Sequence, residues 1–108
     1  MKMKWDLKNI PKKAELVEMS PMEYLSKTPS PCAIPGHTAD MDIDVKDCFS
    51  KSSLDYLEKK AERGEPFDPL MLDYQRTWFG RPGHEGRHRA LVALRLGEKT
   101  VPVVVYKA

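Results

Sequence analysis

The chain has 108 residues, two cysteines and a formal charge of only +2, with 41% hydrophobic and 31% charged residues. That length holds one domain with a modest core, and the composition is ordinary for a globular protein in water. No stretch approaches the ~20 apolar residues of a membrane span, and residues 1–8 contain no apolar run of the kind a secretory signal needs. Cys32 and Cys48 form no Cys-x-x-Cys pair. They read as reduced thiols of a soluble, cytoplasmic protein, although their spacing also permits a disulfide.

Residues 1–13 carry five lysines and one acid and read as a basic N-terminal arm, with Trp5, Leu7 and Ile10 as its anchors. The domain proper is expected over residues 14–108. Glu15 to Met19 alternates charged and apolar residues as a short strand does. Ser20, Pro21 and Glu23 form a capping box that starts a short helix through Tyr24, Leu25 and Ser26.

Residues 28–50 are the least regular part, with turns at Pro29, Pro31 and Pro35-Gly36. Asp40, Asp42 and Asp44 alternate with Met41, Ile43 and Val45, so a strand there would put three carboxylates on one face. Oxygen ligands of this kind suit Mg²⁺. No calcium-loop glycine accompanies them, and a solvated strand face is the expectation.

The spacing then predicts a helix over 53–63. Ser52 or Ser53 is its cap, Leu54, Leu57 and Ala61 its apolar face, and Gly64 its stop. Leu70-Met71-Leu72 reads as a short buried strand. Residues 76–86 read as a Gly- and Pro-rich loop that feeds a helix over 87–96, with Ala90, Val92, Ala93 and Leu94 as its apolar side and Gly97 as its stop. Val101–Tyr106 is the best strand, β-branched enough for burial on both faces.

The loop carries the chemistry. From Arg76 to Arg89 there are four arginines, no lysine and one acid, Glu85, so this segment alone is +3. Arginine offers a rigid fork of donors that fits phosphate bidentately, which lysine lacks. Arg87, His88 and Arg89 fall in the first turn of the expected helix, where positive charge opposes the helix dipole at about 0.3–1 kcal/mol per exposed group. A glycine loop opening a helix also presents free backbone N–H groups. Both features make sense together around an anion.

These residues also carry a family resemblance. The strand, the loop, Gly86-x-His88-Arg89, the helix with Ala93, Leu96-Gly97 and then Val101-Pro102-Val103 resemble the core of the ParB/sulfiredoxin-like domain. Ser20-Pro21-x-Glu23-Tyr24-Leu25 is similar to the opening of many ParB-like domains. The resemblance implies an α/β (α+β) fold: a single compact domain with a small mixed sheet and packed helices. It implies a helix N-terminus that grips phosphate, with a nucleotide or nucleic acid as partner. Nucleases, nucleotide hydrolases and kinases all occur in that family, so the reaction, if any, stays open. Partition proteins carry Gly-Glu-Arg-Arg here, whereas Arg87 stands at the Glu position. Sulfiredoxins place a catalytic Cys at that same position, so their chemistry is not expected.

On this reading Arg89, Gly86, Arg87, His88 and Arg81 bind phosphate. Glu85 and His88 are the candidates for proton transfer, and Trp78 and Phe79 either anchor the loop or stack a base. No protein metal ligands are assigned; Mg²⁺ held through water at Glu85 is left open. A salt bridge of Arg89 to Asp73 or Glu85 is the structural alternative for that arginine. A protein-binding module without catalysis is the third functional class.

Overall fold

The computed structural model describes residues 3–28, 51–78 and 80–108, without the side chains of Lys51 and Trp78. Cys32, Cys48 and the Asp40, Asp42 and Asp44 run lie outside these residues, as do Phe79 and the Trp78 side chain. The fold is α+β, as expected. In chain order the strands are β1 (Lys4–Trp5), β2 (Glu15–Met19), β3 (Pro66–Phe67), β4 (Leu70–Trp78), β5 (Arg81–Glu85) and β6 (Val101–Tyr106). The described helices are α1 (Pro21–Lys27), α2 (Lys51–Glu62) and α3 (Arg87–Arg95). None is long and apolar enough to cross a membrane.

The main sheet has the order β2-β6-β4-β5. β6 lies in its centre, antiparallel to β2 and parallel to β4. Its valines explain that position. Val101, Val103, Val104 and Val105 are all buried, so both faces of the strand are covered. The register places Val17, Val103, Leu70 and Leu72 on the helix side of the sheet and Leu16, Val104 and Met71 on the other.

β1 and β3 form a separate parallel pair, with Trp5 opposite Phe67 and their rings 5.8 Å apart. Met3 is buried, and its backbone N–H donates to Glu98 at 2.6 Å. The N-terminal segment is thus tied in at Met3 and Trp5, while Leu7 is exposed.

Three local expectations are corrected. Residues 76–86 do not form a loop. β4 runs on to Trp78, and β5 returns antiparallel to it, with Trp78 opposite Arg81. Gly80 takes φ +73° in the tight turn between them, as such hairpins require. The exposed Gln75, Arg76 and Thr77 carry no apolar alternation, and a break in register between Asp73 and Thr77 disrupts the pattern further. β5 is an edge strand, which is why it accepts Pro82.

The second correction concerns α2. It already includes Lys51, so Ser52 and Ser53 sit inside its first turn and do not cap it. The third concerns α3. Leu91 is buried and Leu94 is 37% exposed, the reverse of the expectation. The helix packs against α1 and α2 as well as the sheet. Burial therefore covers most of its circumference, and the open sector falls at Leu94 and Arg95.

The capping box forms as read: Ser20 Oγ accepts from the Glu23 N–H at 3.0 Å. It aims α1 so that Tyr24, fully buried, crosses to the start of β4. The Tyr24 hydroxyl lies 2.7 Å from the Glu85 carbonyl and 3.1 Å from that of Met71. Met71 and Glu85 are themselves opposite one another in the β4–β5 pair. One phenol therefore closes the end of the hairpin from which α3 departs. Tyr24→Phe should lower the unfolding free energy by about 1 kcal/mol, since the one hydroxyl donor that two part-buried carbonyls share is lost. Urea denaturation with an unchanged m-value measures this.

Candidate functional site

The site is built on one glycine. Gly86 precedes α3 with φ +119°, a region that side chains with a Cβ rarely adopt. A Cβ there would lie 2.8 Å from Leu70 Cγ and 3.1 Å from an Arg89 guanidinium nitrogen. Only glycine lets the chain leave β5, pass against Leu70 and enter the helix at once. The absence of a side chain also leaves the helix without a side-chain cap. The first turn holds no acid and instead carries Arg87, His88 and Arg89.

Facing this turn is the N-terminal part of α2. Between them lies an open cleft of about 430 Å³, lined by Ser52, Ser53, Tyr56 and Leu57 on one side and by Glu85, Gly86, Arg87, His88 and Arg89 on the other. That volume falls within the range of small-molecule sites. Four of the five residues expected to bind phosphate thus come together, with both candidates for proton transfer.

Arg81 is the exception. Its guanidinium donates to the Ser26 carbonyl at the end of α1, 2.8 Å away, and it does not line the cleft. Arg76 is exposed on the β4–β5 hairpin and does not line it either.

The cleft arginines are held differently from one another. Arg87 is only 8% exposed and donates to the hydroxyl of Thr28, itself buried, at 3.0 Å. It is a charge set into the protein beneath the cleft. Arg89 reaches back across Gly86 and donates to the Pro69 carbonyl at 3.1 Å, while its Nε is buried without a hydrogen-bond partner. The salt bridge to Asp73 or Glu85 weighed from the sequence does not hold Arg89; a backbone carbonyl does. Asp73 accepts instead from the Gln75 N–H.

The titratable groups respond to this charge. Burial, with Arg87 beside it, pushes the His88 imidazole below its usual range. His84, on β5, moves in the same direction for the same reasons, opposed by a hydrogen bond with the Pro82 backbone. Both rings are therefore neutral at pH 7, and His88 can accept a proton there. Tyr24 is raised by burial, against the pull of Arg89 and Arg87, so the phenol stays a hydrogen-bond donor. Glu85 is exposed at the rim and also borders a hollow of about 230 Å³ beside Asp6, Asn9 and Pro11. Among the described residues no group of three or more His, Cys, Asp or Glu side chains is arranged to hold a metal ion.

Sequence reasoning missed the α2 wall. The signal was present: Tyr56 falls off the Leu54, Leu57 and Ala61 stripe, so an aromatic stood on the polar face of an amphipathic helix. No protein-family model, curated protein or solved structure matches the chain.

Two measurements check this geometry. Gly97 also has positive φ, +78°, but has open space around it. Gly97→Ala should lose about 1–2 kcal/mol from backbone strain alone. Gly86→Ala should lose at least about 1 kcal/mol more, because the new methyl also meets Leu70. The second concerns pH. Both histidines have folded pKa values below their unfolded 6.5, so the unfolded chain binds more protons as the pH falls through that value. Stability should be full above pH 6.5 and decline below it. A His84→Gln, His88→Gln double variant should flatten that part of the profile, as followed by urea titrations between pH 5 and 8.

Proposed function

We propose that this chain is a phosphate-recognising domain of the ParB/sulfiredoxin-like kind, whose cleft at the start of α3 takes the phosphates of a nucleotide or of a nucleic-acid backbone. The observation that carries the reading is the N-terminus of α3, where the N-cap residue is a glycine and supplies no side-chain cap. It opens into a cleft with Arg87, His88 and Arg89 in its first turn and no acid among them. A helix end of this kind offers oriented N–H donors and the positive end of the dipole. Cations placed at that same end raise its potential further. An anion at that end relieves the repulsion.

Roles follow from position. The backbone of residues 87–89 and the Arg89 fork are the phosphate ligands. Arg87 supplies buried positive charge from below. His88, neutral at pH 7, is the candidate proton acceptor, and Glu85 at the rim is the second group for proton transfer or for Mg²⁺ held through water. Of the two ligand classes, the nucleotide is favoured by a specific feature. Arg76 and Arg81, which an extended nucleic-acid track would recruit, do not line the cleft.

Calorimetric titration with ATP and with tripolyphosphate tests the reading. Arg89→Ala should weaken both by about tenfold or more, the loss expected for a charge-assisted hydrogen bond. Arg89→Lys should recover only part, because the fork is gone. Arg76→Ala should change neither. A single-stranded oligonucleotide should bind with a steep salt dependence if nucleic acid is the ligand, whereas a nucleotide pocket loses little between 50 and 200 mM salt. Unchanged affinity per folded molecule in Arg89→Ala, with folding monitored by circular dichroism, overturns the assignment.

A further inference from the structure

We infer that the cleft takes a nucleotide with its base stacked on Tyr56 and its phosphates against the first turn of α3, an inference that rests on the phosphate reading above. Tyr56 carries it. The core-facing stripe of α2 is Leu54, Leu57 and Ala61, with Leu54 and Ala61 buried and Leu57 packed against the core. Tyr56 lies off that stripe and is 60% exposed, more than the other large apolar side chains on the described surface. It is not placed at random on that surface, for it lines the same cleft as Gly86, Arg87, His88 and Arg89.

Ser52, Ser53, Tyr56 and Leu57 stand at i, i+1, i+4 and i+5, so they share one face of α2. The cleft thus has two chemically different walls, one carrying Arg87, His88 and Arg89 beside Glu85, the other carrying Tyr56. Inorganic phosphate uses only the first. A planar, uncharged ring joined to a phosphate uses both, and a nucleotide has that chemistry. Stacking on a tyrosine face needs no hydrogen-bond code, so several bases are accepted, ranked by stacking strength.

The experiment titrates the folded protein with ATP, GTP, CTP and UTP and, separately, with tripolyphosphate and ribose 5-phosphate. Tyr56→Ala should weaken the best nucleotide by at least about fivefold, Tyr56→Phe should retain it, and tripolyphosphate should bind all three proteins alike. Tyr56 is a surface residue, so both variants fold, as a thermal melt verifies. Three results overturn the stacking and leave the phosphate site standing: nucleotide affinity unchanged in Tyr56→Ala, tripolyphosphate weakened in parallel, or wild-type protein binding tripolyphosphate or ribose 5-phosphate as tightly as any nucleotide. Wild-type protein that binds none of the probes overturns the phosphate reading and this inference with it.

Discussion

The hydroxyl of Tyr24 is the contact on which the rest of the arrangement depends. It reaches the Glu85 and Met71 carbonyls, and through them it fixes where β5 ends and β4 begins. Gly86 follows Glu85 directly and lies against Leu70, which precedes Met71. The origin of α3 is therefore set by α1, an element some sixty residues earlier in the chain. Burial keeps the phenol protonated, so this donor is present across the pH range in which proteins fold. The capping box at Ser20 has more than local importance for the same reason. A shift in the start of α1 would rotate Tyr24 away from both carbonyls.

Around that fixed point the protein accepts several locally unfavourable features. Gly86 takes a backbone conformation that other residues rarely adopt, α3 begins without a side-chain cap, and its first turn is cationic. Any one of these is a modest penalty. They coincide at the edge of one cleft. Sequences that fold well agree with their structure at each level, and departures of this kind are expected at functional or strained positions.

Much of this was legible in the sequence where one signal dominated. The valines of β6, the Ser20 box and the Gly86 entry to α3 each rest on a short-range rule, and each appears in the fold. The β4–β5 hairpin was hidden because its outer half is exposed and polar and its edge strand contains Pro82 and Gly83. Those residues read as a loop in any local pattern. Leu94 was misplaced because helical periodicity assumes one covered face, whereas α3 is flanked by two helices and a sheet. The wall containing Tyr56 could not be placed at all. Nothing local says that α2 lies across from Gly86. Only the aromatic on its polar face marked it as unusual.

The cluster of four arginines shows how far a charge pattern can be carried. Along the sequence they make one basic segment, and the natural inference is one shared partner. The hairpin separates them. Successive side chains of a strand point to opposite faces, and the turn at Gly80 reverses the chain, so Arg76 and Arg81 leave toward solvent and toward the Ser26 carbonyl. Arg87 and Arg89 pass beyond Gly86 into a helix, where a spacing of two residues sends them to different neighbours, Thr28 and Pro69. The cleft is therefore lined by two of the four arginines, with Glu85 beside them. Those two act partly shielded from water, where the effective dielectric is lower and each is felt more strongly than a solvated surface charge. Burial first and Arg87 second lower both histidines beside it. Local charge along a sequence therefore says little about local charge in space until the hairpin and the helix entry are known.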